Sequence, residues 1–523
     1  MSIWRACEFG WNLWKWVPLR IDPGGRPSAA AVKATDAVVG LLLLGGCAVG
    51  PDFRSPSAPR AEKLTPEPAK LVRLSGRDQQ AYVGDLEIPK RWWQLFGCER
   101  LNTITARAIG NNADVEAAQA SLRIANANTE AARGSFFPQI GANLGSSRQK
   151  EAAAQAGTSG TSPYSLSTGQ LSVSFMPDVF GLTRRTVESL AAQAEVQYFE
   201  LEAAYLTLTS KLVLAAIEEA SLREQIASTQ ATIAIARDVL SLLKKQLEVN
   251  EASRVDVAAQ EAALAQFEQQ LQSLFKQLGA NRDLMIALTG HLAGEGLPEK
   301  FDFQCLRLPS DLPMSLPSDI VQNRPDVRAA EADMHAATAA IGVAIANRLP
   351  QFNLTAGAGT AASAITKLAS FSSPLLFWSL AGNVAVTLFD GMTLEQKQRA
   401  AEAGLDRSAA LYRGAVVTAF QNIADVLQGI AVDRRLYVAA DRGEKAARLN
   451  LDLTRKLLSQ RQANMLQMLN AQQMYAQAAS SKAQAQAARL SDTVLLFQAL
   501  GGGWRNRDAR EKVAEAVEKV RKF

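Results

Sequence analysis

Histidine is nearly absent. Of 523 residues only His291 and His335 are histidine, and neither has a ligand-type neighbour at helical spacing. The four cysteines (Cys7, Cys47, Cys98, Cys305) are scattered and form no C-x-x-C pair, so zinc-site and redox-motif chemistry fail on spacing. No G-x-S-x-G, P-loop or G-x-G-x-x-G stands in a credible context. The chain therefore reads as no enzyme, with neither cofactor nor metal. An excess of one charge is also missing: 56 Lys and Arg face 51 Asp and Glu, a net +5, too little field for nucleic acid. Aromatics make up 7%, less bulk than a compact enzyme core wants. Glycine and proline are absent from Leu182 to Leu278, and proline does not recur after Pro374.

What is present is 48% hydrophobic and 20% charged, too apolar for a disordered chain and long enough for several domains. Ala and Gln are abundant, a mixture that suits long helices. Near the start, Ala37 to Leu44 form a short apolar run preceded by Lys33. Eight residues of helix span about 12 Å, too little for a bilayer core of roughly 30 Å. The run fits the apolar region of a signal peptide covering 1–46. Leu44-Gly45-Gly46-Cys47 resembles a bacterial lipobox, which makes Cys47 the expected acyl (palmitate-type) acceptor and first mature residue. Ala48 follows it, not the Asp that retains such lipoproteins at the inner membrane. The 36 residues before the run, with Trp4, Trp11, Trp14 and Trp16, are long for a leader; translation starting near Val32 is the expectation.

The strongest internal signal is self-similarity at a spacing of about 212 residues, the mark of a tandem duplication. Asp114-Val115-Glu116-Ala117-Ala118 matches Asp326-Val327-Arg328-Ala329-Ala330. Phe137-Pro138-Gln139-Ile140 matches Leu349-Pro350-Gln351-Phe352, and Ala287-Leu288-Thr289-Gly290 matches Ala499-Leu500-Gly501-Gly502. The repeats are set at 101–308 and 309–503, after an N-terminal segment 47–100 and before a tail 504–523.

Each repeat opens with an expected helix, at 101–137 and 318–349, stopped by a proline. Two alternating segments follow. Ile140, Ala142 and Leu144, then Leu171, Val173 and Phe175, take one face in the first repeat; Phe352, Leu354 and Ala356, then Val384, Val386 and Leu388, do so in the second. Period two with one apolar and one small or polar face is a strand signal. Alone it suits a soluble sandwich as well as a membrane barrel wall; the address at Cys47 favours the barrel. Loops 149–165 and 361–374 are rich in Ala, Ser, Gly and Thr.

The long stretches carry heptad seams. Leu222, Ile226, Thr229, Ile233, Ala236, Leu240, Leu243 and Leu247 step by three and four, and Val257, Gln260, Leu264, Phe267, Leu271, Leu274 and Leu278 resume the pattern. Two seams around a short break predict an antiparallel helical hairpin. Asn250 is expected to be left-handed in that break and Ser253 to cap the returning helix. A second turn is expected near Asn464. The motif Asn250-x-x-Ser253-x-Val255-Asp256 is matched there to Asn464-x-x-Gln467-x-Leu469-Asn470.

At this point the chain resembles the outer membrane factor (TolC-like) family, in its lipid-anchored, NodT-type efflux branch. The residues that carry the likeness are Cys47-Ala48-Val49-Gly50-Pro51-Asp52-Phe53, Trp92-Trp93-x-x-Phe96, Leu316-Pro317-Ser318-Asp319, Arg324-Pro325-Asp326-Val327 with Glu331, and Ala499-Leu500-Gly501-Gly502-Gly503-Trp504. The resemblance implies a mainly helical α+β fold in which a homotrimer shares one β-barrel, four strands per chain, above an α-barrel of coiled-coil helices. Segment 47–100 would pack on the equatorial region. It implies residence in the outer membrane with the lipid anchor, and a passive exit duct for small molecules held by a periplasmic adaptor and an inner-membrane pump. A conduit for protein secretion and a poreless coiled-coil lipoprotein are the competing readings. The resemblance also places Asn250, Ser253, Asn464 and Gln467 at adaptor-contacting tips, and Asp256 with Asn470 at the periplasmic entrance. Asp256 equally suits a solvated residue at a helix start. Arg324-Pro325-Asp326 is read as structural, a helix entrance. Spacing alone does not decide whether Cys98 and Cys305 pair. The tail after Trp504 reads as an amphipathic helix, packed on the surface or touching the adaptor.

Overall fold

The computed structural model describes residues 48–57, 80–84, 86–150, 162–314, 323–367, 376–460 and 462–504. Two compact units emerge, one built from the segments around the strands and one from the helices. In the helical unit α1 (Glu99–Asn111) and α2 (Ala113–Arg133) precede the long α3 (Leu182–Glu248) and its return α4 (Arg254–Leu288). α5 (Pro325–Ala346), α6 (Thr393–Ser459) and α7 (Met465–Ala499) repeat the series. Both long helices have 67 residues and both returning helices 35. Leu182 and Thr393 open the long pair, an offset of 211 positions. A 67-residue helix runs about 100 Å, and α3 contains no residue that would interrupt its hydrogen-bond ladder.

Burial follows the seam. Leu222, Ile226, Ile233, Ala236 and Leu243 are buried on α3, and Val257, Gln260, Phe267 and Leu274 on α4. Toward the hairpin ends, Val239, Leu243 and Val257 pack with Leu451, Leu458, Met465 and Met468, joining the two repeats. The largest core lies elsewhere in the unit, where Trp92, Phe96 and Leu101 meet Leu212, Ile217, Met285, Phe301 and Phe497. Each such side chain contributes roughly 1.5–3 kcal/mol by leaving water. Cys98 and Cys305 are disulfide-bonded at the edge of this core. A small parallel pair, β1 (Ala81–Gly84) against β4 (Asp311–Met314), runs in register from Ala81↔Asp311 to Gly84↔Met314.

The other unit holds an antiparallel sheet in the order β2 (Gln139–Gln149), β3 (Tyr164–Phe175), β5 (Gln351–Ala362), β6 (Leu376–Ala385). The register passes through Ile140↔Val173, Val173↔Ala356 and Ala356↔Leu380.

Several expectations need correction. The helix expected over 101–137 is two helices, because Asn112 takes an extended conformation and its side chain accepts from the backbone of Asp114 and Val115. That cap satisfies free N–H groups only if the first helix ends there. The alternation expected to run through Leu388 stops at Ala385, opposite Gln351; Pro350 precedes Gln351 and offers no N–H to extend the ladder. Val386 and Leu388 are left outside the strand and exposed. The parallel β1–β4 pair was not expected at all. The signal peptide, Cys47, Leu316-Pro317-Ser318-Asp319 and the tail beyond Trp504 lie outside the described residues.

Arg324-Pro325-Asp326 is a fastener. Nε and Nη2 of Arg324 donate to Asp326, and Nη1 donates to the carbonyl of Ala499 at 3.1 Å. The indole of Trp504 donates to the carbonyl of Asn323 at 2.5 Å. Gly501 has φ +93°, and a Cβ there would sit 2.1 Å from the same carbonyl, so only glycine fits. Arg324→Ala strands a buried carbonyl, at a cost of about 1–3 kcal/mol. A lower melting temperature, partly restored by Arg324→Lys, is the expected result of thermal unfolding.

Candidate conduit surfaces

The register sorts the sheet into two faces. One carries Ile140, Leu144, Leu171, Val173, Phe352, Leu354, Leu376, Trp378, Leu380 and Val384. Most of these large side chains are solvent-exposed, with Trp378 at 80% and Leu380 at 76%. The other face carries Gly141, Asn143, Gly145, Thr168, Gln170, Ser172, Ser174, Asn353, Thr355, Gly357, Ser379 and Asn383. There Ser174 donates to the side chain of Asn353 at 3.3 Å. An exposed band of this size on a water-soluble protein would be a liability; it matches hydrocarbon on one side and water on the other. β2 and β6 each have one strand neighbour in the described sheet.

The hairpin turns are the second surface. Asn250 adopts φ 59°, and the N–H of Glu251 returns to the carbonyl of Gln246 at 2.7 Å. Ser253 caps α4, accepting from the N–H of Asp256 while Asp256 accepts from the N–H of Ser253, a reciprocal capping box. The carboxylate also accepts from the Ser253 hydroxyl at 2.7 Å. In the second turn Asn464 is the cap and Gln467 its reciprocal partner. The closing hydrogen bond recurs 211 positions on, from the N–H of Gln462 to the carbonyl of Leu457.

That geometry corrects the motif alignment. Asn464 answers to Ser253, not to Asn250, and Gln467 answers to Asp256. Shared Asn identity displaced the match by three positions. Asn470 stands one turn further along, exposed on α7, and is not the replacement of Asp256. Val249, Val255 and Leu466 are exposed beside the turns.

Two further groups were not legible in the sequence. Gln260 and Gln472, both fully buried, meet across α4 and α7 at 3.4 Å, and Gln260 also donates to the carbonyl of Ala236. Its place within an apolar seam was the available clue. Lys482 on α7 pairs with Asp441 at 2.8 Å and Glu444 at 3.2 Å on α6. Hydrogen bonds from Lys445 and then Lys482 hold the Asp441 carboxyl below the usual carboxylate range.

The N-terminal strap at 50–53 is clamped to the helical unit. Arg185 donates to Asp52 at 2.7 Å and Glu188 at 2.8 Å. Phe53 stacks on His335 at 4.5 Å, and His335 meets Glu188 at 3.1 Å. Gly50 lies so close to Gly342 that a Cβ would sit 2.5 Å from its Cα. His335 is thus spent on packing. Among the described residues no group of three or more His, Cys, Asp or Glu is arranged to hold a metal ion.

Comparison with known proteins gives a consistent result. The family model described as outer membrane efflux protein matches twice, over residues 105–291 and 316–502. The chain is 28% identical over 483 residues to the pyoverdine export outer membrane protein OpmQ of Pseudomonas aeruginosa, spanning 91% of this chain and 98% of that one. It is 26% identical to nodulation protein T of Rhizobium leguminosarum bv. trifolii, over 88% of this chain and 96% of that one. Among solved structures, the Campylobacter jejuni CmeC outer membrane channel superposes with a TM-score of 0.81 at 21% identity, covering 90% and 98% of the two chains. The outer-membrane channel OprN gives 0.79 at 23% identity, covering 88% and 100%.

Proposed function

The chain belongs to the outer membrane efflux protein family, and from that premise we propose that three copies form the passive exit duct of a tripartite pump. Its place is the outer membrane and its role is efflux. In this reading an adaptor in the periplasm and a pump in the inner membrane supply the grip and the energy, and lipid on Cys47 adds an anchor. Small molecules are the cargo.

One observation carries the reading: a two-faced sheet of four strands with an exposed apolar side. Four strands cannot close a membrane barrel, since the smallest need about eight. Three copies of the four give twelve, and the small and polar side chains then line a wet lumen. α3 and α6 each contain an 18-residue stretch apolar enough, by length and composition, to cross a membrane. Here that surface serves helix-on-helix packing within a wall of helices.

The test is reconstitution. Purified full-length protein should run in detergent at the mass of a trimer and conduct ions in a planar bilayer. A monomer that never conducts would leave a poreless lipoprotein. The same bilayer tests the mouth. Three Asp256 carboxylates around a narrow entrance would favour cations, so Asp256→Asn should reduce cation preference measured by reversal potential. Unchanged selectivity would confine Asp256 to its capping box.

A further inference from the structure

The two repeats handle buried charge differently at one level of their hairpins. In the first, Glu219 is fully buried on α3. It accepts from Arg223 at 2.6 Å and from Arg282 on α4 at 2.9 Å. One carboxylate there meets two guanidinium groups. At the same level of the second repeat, the carboxyl of Asp492 on α7 abuts α6 at Gly429, one helical turn from Asp433 on the same face. The positions 211 earlier are Leu222 and Asn281, so the first repeat carries neither acid.

Space for the second pair is built in. Gly429 on α6 faces Asp492, and a Cβ there would approach its Oδ2 to 2.8 Å. That oxygen is buried and receives no hydrogen bond from a donor. Two cations stand nearby, and neither hydrogen-bonds to that oxygen. Arg434 follows Asp433 directly, and neighbours in a helix point about 100° apart; its guanidinium is buried without a hydrogen-bond partner. Arg489, three positions before Asp492 on α7, lies with its guanidinium 4.7 Å above the Tyr437 ring. From β1 comes Tyr82, whose hydroxyl is buried without a partner. Burial first, then the charge of Asp492, push its phenol up to about 12, so it stays neutral. Beside this cluster Gln80 donates to Thr493 at 3.1 Å, tying the approach to β1 onto α7.

Two carboxylates in one half-buried site cannot both be charged at low cost; the stable arrangement shares one proton. We propose that Asp433 and Asp492 hold a single shared proton across the α6–α7 contact, and that its loss loosens the hairpin where β1 crosses it, making the second repeat more pH-sensitive than the first. The direction is fixed by the raised carboxyl. Burial first, then the charge of Asp433 and its hydrogen bond, push Asp492 up to about 7, far above the usual carboxylate range. A group raised in the folded state stabilises the fold fully below its unfolded value, and that contribution is lost as pH rises through the folded one. The window therefore opens near pH 4 and closes just above 7. A duct with this joint would be tighter on the acidic side of neutrality.

Hydrogen exchange on the full-length protein in detergent reads this locally. Corrected for intrinsic rates, protection of amides around 429–433 and 489–493 should fall at least about tenfold between pH 5.5 and 8.5, each unit of carboxyl shift being a tenfold change. Amides around Leu222 and Asn281 should lose much less in the same sample, the Glu218 carboxyl beside them being raised by burial alone. Asp492→Asn, which installs the amide already used at the matching place in the first repeat, should abolish the change, and Asp433→Asn, which leaves only burial acting on Asp492, should shrink it. Asp441→Asn, away from the pair, should not. Equal pH response in both repeats, a response that survives Asp492→Asn, or one undiminished by Asp433→Asn overturns the proposal. Because the wild-type comparison of repeats needs no substitution, a variant that fails to fold does not remove the test.

Discussion

Leu380→Arg is expected to abolish stable insertion in the outer membrane. Leu380 is 76% exposed on the apolar face of the sheet, level with Ala356, Val173 and Ile140. An arginine near the middle of a bilayer costs about 2–4 kcal/mol on a barrel wall. In the proposed barrel of three copies that becomes roughly 6–12 kcal/mol, comparable with the whole stability of many folded domains. Adding Trp378→Arg should deepen the loss. Ser379→Arg, one residue away on the opposite face, is the control: in the proposed barrel it meets water in the lumen and should insert, with altered conductance. The measurement is the fraction of protein recovered as an oligomer from the outer-membrane fraction. If Leu380→Arg and Ser379→Arg behave alike, the apolar face does not meet lipid.

The second large effect is expected from the Cys98–Cys305 bond. It closes a loop across a sequence separation of 207, spanning the first repeat. Chain-entropy arguments give about 5 kcal/mol for so long a loop, while observed values usually lie near 2–4 kcal/mol. Cys98 is 1% exposed and sits with Trp92, Phe96 and Phe301 in the main core, so the bond also fixes where α1 enters that core. Cys98→Ala with Cys305→Ala should lower the unfolding midpoint by several degrees. Reductant should bring the wild-type protein down to the same midpoint and leave the double variant unmoved. Identical melting of both proteins under oxidising conditions would show that packing alone holds the joint.

Local order was readable where one physical rule acts on neighbouring residues. The absence of glycine and proline along α3 leaves an unbroken ladder, and the heptad steps from Leu222 to Leu247 name the buried stripe. Alternation named the strands because side chains on a pleat must point in turn to either side. The rule failed at the second hairpin turn. Asn464 looks like Asn250 by letter, yet asparagine serves both a left-handed turn and a helix cap. Which role it takes depends on where the preceding helix stops. The break at Asn112 was hidden for a related reason: helix-forming residues flank it on both sides, and its amide decides the matter by bonding Asp114, Val115 and the carbonyl of Leu288.

The sequence by itself determined the duplication, the length of the helical rods and the two-sided character of the strands, because periodicity and chain breakers act within a few residues. It excluded zinc and redox motifs through its scarce histidines and scattered cysteines. Tertiary structure alone decided the pairing of Cys98 with Cys305, the closure of Arg324 on Ala499, the β1–β4 ladder and the meeting of Asp433 with Asp492. Each of these joins segments from 59 to 230 positions apart. Such contacts follow from how helices and strands are brought together in space, and no local spacing rule encodes that.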